Sequence, residues 1–169
     1  MEKKYELTED TTFFFGKALH RIRALRSFSN VKKGALGGYV ETEDNLSHQG
    51  KAWVYDSTQV FGNARVYGDA RGFGNARVYG NAQVYGDAQV YGDAQVYGNA
   101  QVFGIKRSDG YSFVYVMCKD GNKRVIAGCR YFTMKEAREH WRKTRGGTPL
   151  GKETLLILDL LEAQDKALS

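Results

Sequence analysis

The chain has 169 residues, 42% of them hydrophobic and 13% aromatic, which supports one domain with small appendages and excludes wholesale disorder. No apolar run approaches the roughly 20 residues of a membrane span, and the two cysteines, Cys118 and Cys129, exclude a disulfide scaffold and a four-cysteine zinc site. The formal charge of +6 is uneven: residues 105–169 hold 13 basic and 8 acidic residues, so an acidic partner is expected at the C-terminal end.

The first segment, 1–39, reads as a β cap. Met1-Glu2-Lys3-Lys4-Tyr5-Glu6 has no apolar stretch behind its charges, so no secretory leader is predicted and a cytoplasmic location is the default. Phe13-Phe14-Phe15 and then Leu19 through Leu25 read as strands. A glycine-rich passage, Gly34-Ala35-Leu36-Gly37-Gly38-Tyr39, closes the segment.

Residues 40–104 are dominated by a repeat of period six. A small-residue column runs Ala52, Thr58, Ala64, Ala70, Ala76, Ala82, Ala88, Ala94 and Ala100, and Leu46 and Val40 extend its phase upstream. A large apolar column runs Val54, Val60, Val66, Val78, Val84, Val90, Val96 and Val102, broken by Gly72. A helix would smear these valines around all its sides. Within a hexad the alternation is strict: Ala in, Arg or Gln out, Val in, Tyr or Phe out. That is a short strand. The following Gly with Asn or Asp suits a corner, because both tolerate left-handed backbone. Strand and corner together describe one side of a coil that keeps turning in one sense.

Three hexads per coil bring equivalent positions together every 18 residues. The aromatics then form three outward columns: Tyr55, Phe73, Tyr91; Phe61, Tyr79, Tyr97; and Tyr67, Tyr85, Phe103. Beside them run Trp53, Arg71, Gln89; Gln59, Arg77, Gln95; and Arg65, Gln83, Gln101. At a rung spacing of about 4.8 Å these rings and amides pack on one another. The ladders either cover their own coil or offer a platform to a subunit, a sugar or a base. Gly72 leaves a gap in the coil that a small dent or an inserted neighbour explains better than a binding pit. Asp69 and Asp87, one coil apart, read as turn residues rather than as a calcium site, so no metal is expected.

Val66 with Ala70 and Val84 with Ala88 reproduce the aliphatic-then-small signature of the hexapeptide-repeat superfamily, which this segment resembles. The resemblance implies a mainly β fold, a left-handed parallel β-helix of triangular section. An aromatic follows the aliphatic residue here, where that family has a small or acidic one. The run from Leu25 through Gly37-Gly38-Tyr39-Val40-Glu41 and Asn45-Leu46-Ser47 to Ala52-Trp53-Val54 also resembles the lead-in of enterobacterial acetyltransferase-like proteins and their phage and prophage relatives.

The last segment, 105–169, predicts a hairpin and two helices. Tyr111 to Cys118 and Lys123 to Cys129 flank an Asp120-Gly121 turn, which pairs Val116 with Val125, Cys118 with Lys123 and Ser112 with Cys129. The cysteines then lie too far apart to bond. Thr133 with Glu136 forms a capping box for a helix whose apolar stripe is Met134, Ala137 and Trp141. Thr148-Pro149 starts a second helix, whose Leu155, Leu156, Ile157, Leu158, Leu160 and Leu161 make an apolar face too wide for a lone surface helix. It is expected to plug the coil or to join another subunit, so a homo-oligomer is expected. Residues 127–141 resemble a C-terminal segment of assorted phage proteins.

Lys135, Arg138, Arg142 and Arg145 fall on one stripe of the first helix, with Lys143 and Arg130 nearby. The stripe is either a solvated face or a contact for phosphate or an acidic protein. Acyltransferases are the commonest enzymes of the superfamily, and the resemblance implies acetyl-CoA as cofactor and a histidine base. His48 falls in the inward aliphatic slot of its hexad, His20 and His140 lie outside the coil, and no loop interrupts the hexads. The favoured reading is therefore a non-enzymatic binding or assembly module without cofactor, host-directed in a bacterial cytoplasm as its phage-type relatives imply, with no membrane partner. An acyltransferase using His48 or His140 is the runner-up. A carbohydrate binder using the tyrosine ladders is a third reading.

Overall fold

The computed structural model describes residues 2–118, 120–128 and 130–168. Strands β1 (Tyr5–Phe14), β2 (Lys17–Ala24) and β3 (Leu36–Val40) form an antiparallel cap. Then come the coil strands: β4 (Trp53–Val54), β5 (Gln59–Val60), β6 (Arg65–Val66), β7 (Arg71–Gly72), β8 (Arg77–Val78), β9 (Gln83–Gly86), β10 (Gln89–Val90), β11 (Gln95–Val96) and β12 (Gln101–Lys106). They stack in parallel on three faces, β5-β8-β11, β4-β7-β10 and β6-β9-β12, each residue pairing with one 18 positions away. This is the expected three-sided β-helix.

The interior is dry and made of the two predicted columns. Ala64, Ala70, Ala76, Ala82, Ala88 and Ala94 are fully buried, and the column valines from Val54 to Val96 are at most 2% exposed. The corner glycines from Gly62 to Gly98 sit at φ between +63° and +70°, which a side chain resists. Where the valine column lacks a side chain, at Gly72, its neighbour fills the space. A Cβ on Gly72 would lie 2.7 Å from the Thr58 methyl. The oversized residue of the small column thus fills the hole in the large one. The Thr58 hydroxyl is buried without a partner among the described residues.

The upstream phase differs from expectation. Val40 pairs with Val60 and Leu46 with Val66, so both belong over the large column and lie 20 positions from their partners instead of 18. Ser47 N–H donates to Val66 O, whereas Lys51 N–H donates to Gly68 O. Two extra residues are therefore absorbed between Ser47 and Lys51. That slip ejects His48 from the interior, where the unbroken six-residue phase put it. The Lys4 amine, fully buried, donates to Ala52 O at 2.7 Å and lies 3.5 Å from Gln49 O, bracing the slip. Burial lowers its pKa to about 8, with the Arg26 charge adding to the effect. Trp53 is not outward either: Tyr5 and Phe28 cover it edge-on and leave it 1% exposed.

Strands β13 (Ser112–Met117), β14 (Lys123–Ala127) and β15 (Arg130–Phe132) continue antiparallel from β12. The hairpin register is one residue off the predicted one: Val116 faces Arg124 and Tyr115 faces Val125. Cys118 N–H donates to Asn122 O, so the turn holds one residue more than the two-residue loop that an Asp-Gly pair suggests. Asp120 ties that longer turn, accepting from Asn122 N–H and from the Arg124 guanidinium. The pairing assigned to Cys129 lies outside the described residues.

One face of this sheet, Val114, Val116 and Ile126, joins the coil core and closes its end. The other face, Phe113, Val125 and Ala127, packs under helices α1 (Met134–Arg145) and α2 (Pro149–Leu168). The plug is therefore the hairpin, and α2 forms the next layer with Ile157, Leu158 and Leu161 buried. Leu156 and Leu160 remain 68% and 57% exposed. No helix among the described residues is long and apolar enough to cross a membrane.

Candidate functional site

The basic stripe is built on a well-anchored helix. Thr133 accepts from Glu136 N–H, and Glu136 accepts from Thr133 N–H, so the capping box sets the start of α1. Met134, Ala137 and Trp141 face the sheet, and the predicted cations come out on the other side. The structure divides them. Arg138 is only 19% exposed and bonds Asp159 at 2.6 Å and Glu162 at 3.0 Å on α2, so it locks the two helices together. Lys135, Arg142, Lys143, Arg145 and, on β15, Arg130 are exposed and have no ion pair among the described residues. Three of them, Arg142, Lys143 and Arg145, crowd the last turn, where the helix dipole favours positive charge.

The aromatic ladders stack as expected. Phe61 and Tyr79 lie 5.1 Å apart and 1° from parallel, and Tyr79 and Tyr97 follow at 5.4 Å. Tyr67 and Tyr85 lie at 5.3 Å, and Phe103 ends that column tilted by 46°. Tyr67 donates to Gln83 and Tyr91 to Gln89, which ties rings to the neighbouring amide columns. Partial burial within the stacks raises the hydroxyl pKa values of Tyr67 and Tyr79. The faces are unequal. Phe61 is covered by Phe14 and is 5% exposed, while Tyr97 and Phe103 at the last rungs are 43% and 40% exposed. Asn63, Asn81 and Asn99 form a third ladder along the corners.

The histidines take structural positions. His48 Nδ1 accepts from Lys4 N–H at 3.1 Å, its Nε2 faces Glu43 at 3.2 Å, and its ring stacks on Tyr5 at 4.3 Å. Both nitrogens are thus engaged inside the N-terminal cap. His20 Nδ1 lies 3.1 Å from Thr8 O in the same cap. His140 packs against Phe132 and Trp141, and burial with the nearby Arg130 charge holds its pKa below the ordinary histidine value. The two runner-up bases, His48 and His140, stand at opposite ends of the molecule and share no cleft.

Two features escaped the sequence. One is the clamp of Lys4, whose sequence signal was only a lysine beside an aromatic. The other is a cleft of about 270 Å³ between the last coil and the C-terminal layer. Tyr97, Val102, Phe103, Tyr115, Met117 and Leu161 give its apolar walls, and the Lys123–Asp165 ion pair stands at its edge. The ladders had to end somewhere, which was the signal available. Asp69 accepts from Lys51 N–H and Asp87 pairs with Lys106, so both corner aspartates serve the coil.

A family model described as the YdcK beta-solenoid repeat matches residues 59–71, 73–86 and 82–97. Together with the three stacked faces, that match makes this chain a β-solenoid repeat protein. The similarity covers the regular coils alone, and neither the caps nor the basic stripe falls within it. No curated protein matches the chain.

Proposed function

We propose that this protein is a non-enzymatic binding module that presents a rigid β-helix and captures an acidic partner on its C-terminal basic face. The observation that carries this reading is the division of the α1 cations. Arg138 is consumed in holding α2, while Arg142, Lys143 and Arg145 on the same helix stay exposed and without a carboxylate partner among the described residues. A cluster of like charges on a rigid support repels itself, and an acidic surface relieves that repulsion. The backbone ladder runs without interruption from Lys51 to Ala100, so no loop leaves the coil to build an acyl-donor site. Both nitrogens of His48 are already engaged. The resemblance to phage and prophage proteins points the reading toward a host-directed target, such as a bacterial defence protein.

The test is fluorescence anisotropy with labelled polyglutamate, and with a labelled DNA duplex as the phosphate arm. Binding to polyglutamate is expected to weaken as salt rises and to fall at least tenfold in Arg142→Glu/Arg145→Glu. Absence of salt-dependent binding to either probe overturns the reading. So does acetyl-CoA turnover that disappears in His48→Ala or His140→Ala, which would favour the acyltransferase. Tighter binding to the duplex would move the partner from protein to nucleic acid.

A further inference from the structure

The β1–β2 hairpin ends in an unfavourable turn. Its two central residues are Phe15 and Gly16, with φ of +48° and +74°. Consecutive positive φ values define the turn that favours Asn-Gly or Asp-Gly. A bulky residue resists that backbone, and the Phe15 ring is also 80% exposed. Phe13 is 73% exposed. Between them Phe14 is anchored, 5.4 Å from Phe61 and with the Arg77 guanidinium 4.1 Å from its ring centre. Phe14 fixes the tip to the coil, Phe15 meets it edge-on at 4.3 Å with most of its own surface open, and Phe13 projects into solvent. Strain and exposure at the same residue mark a place where something outside the fold repays both.

The complement lies at the other end of the β-helix. The coil-end cleft of about 270 Å³ is walled by Tyr97, Phe103, Tyr115 and Leu161, and among the described residues no further rung stacks on the rings of Tyr97 and Phe103. A cavity of ~150 Å³ holds a benzene ring, so this cleft takes a phenyl side chain with room to spare. Lys17 beside the tip is bound to Glu41 at 2.8 Å. At the tip the Arg77 guanidinium, without an ion pair among the described residues, lies over the Phe14 ring, and at the cleft Lys123 is held by Asp165, so no unpaired cation of the cleft faces it.

We infer that this chain associates head to tail with a second copy, the Phe13/Phe15 tip of one molecule seated in the coil-end cleft of the next. The contact is heterologous, because each surface meets a different one. Each added copy leaves one tip and one cleft free, so the assembly grows with concentration unless the chain of copies closes into a ring. This surface is separate from the basic face of α1.

Sedimentation velocity from low micromolar to several hundred micromolar protein tests the inference. The wild-type chain is expected to shift progressively to larger species. Phe13→Ser/Phe15→Asn removes the tip, and asparagine suits the turn, so its Tm is expected to equal or exceed the wild-type value. Gln101→Arg crowds the cleft from an exposed position, and Arg65 already occupies the same outward column. Each variant alone is expected to stay monomeric. An equimolar mixture is expected to form a dimer and stop, because it holds one intact tip and one intact cleft. A monomeric wild-type chain overturns the inference, as does growth by the tip variant or a mixture that stays monomeric. Binding of the wild-type tip to phosphatidylcholine or phosphatidylserine vesicles without self-association also overturns it, in favour of a lipid surface. Arg142→Glu/Arg145→Glu is expected to leave self-association unchanged, which separates this result from the fate of the acidic-partner reading.

Discussion

The first coil and the coils that follow it are made of the same side chains and are held in different ways. From Lys51 onward each rung bonds to the residue 17 positions ahead, as in Trp53 to Ala70 and Phe61 to Val78. Before the slip the span is 19, as in Glu41 to Val60 and Ser47 to Val66. The regular coils need only their own ladders of valine, alanine, tyrosine and asparagine. The irregular one needs long-range clamps: the Lys4 amine on Ala52, the Tyr5 hydroxyl on Leu46, and the His48 ring between Lys4 and Glu43. A repeat therefore sustains its own geometry, and a departure of two residues has to be held by groups more than 40 positions away.

The comparison breaks first if the regular coils prove soft. A Cβ on Gly104 would come within 2.2 Å of the Ala88 backbone nitrogen, so Gly104→Ala must move backbone. A loss of about 3 kcal/mol in urea unfolding is expected, and a loss below ~1 kcal/mol would show that the last coil yields easily.

The Thr58–Gly72 exchange sharpens the same point inside the coil. Gly72→Val restores the column and collides with the Thr58 methyl, which is expected to cost about 1–3 kcal/mol. Adding Thr58→Ala removes the collision and the unpartnered hydroxyl, so the double variant is expected to recover most of the loss. Additive losses in a double-mutant cycle would mean that the two columns do not compensate each other.

The clamp of the irregular coil has a pH signature. The Lys4 amine titrates at 10.5 when unfolded and at about 8 when folded. Between those values the unfolded chain holds a proton that the folded chain has released, so stability rises with pH across that window. Below about pH 8 both states are protonated and this slope vanishes. Tyr5, whose hydroxyl is pushed up by burial, adds the opposite slope only above its unfolded value of 10.0. Wild-type Tm is thus expected to rise from pH 8 to 10 relative to Lys4→Met, and parallel profiles would remove the amine from the clamp. The smallest effect belongs to the C-terminal layer, where Thr133→Ala is expected to lose about 1 kcal/mol in the same urea assay.

Much of the fold was readable from residue order because its rules are local. Val66 and Ala70 point inward because side chains alternate along a strand, and the 18-residue recurrence follows from three sides. The capping box of Thr133 and Glu136 is likewise a matter of neighbours. The hairpin register was not readable, because Asp120 chose Asn122 and Arg124 as partners and lengthened the turn by one residue. The stripe on α1 was legible as a stripe, whereas the withdrawal of Arg138 depended on Asp159 and Glu162 arriving from the second helix. His48 was misplaced for a related reason. Counting by six presumes that no residue is added, and the change of backbone partner between Ser47 and Lys51 shows that two were.

Residue order alone determined a three-sided coil with a valine and alanine interior and aromatic columns outside, since period two and period six act within a few residues of chain. Tertiary structure decided which of those rings stay open: Phe61 lies under Phe14, while Tyr97 and Phe103 face a cleft. It also decided which cation is free and where the coil slips. Those outcomes rest on contacts between groups 20 to 50 positions apart, and their distances are set by the packing of whole layers rather than by any local pattern.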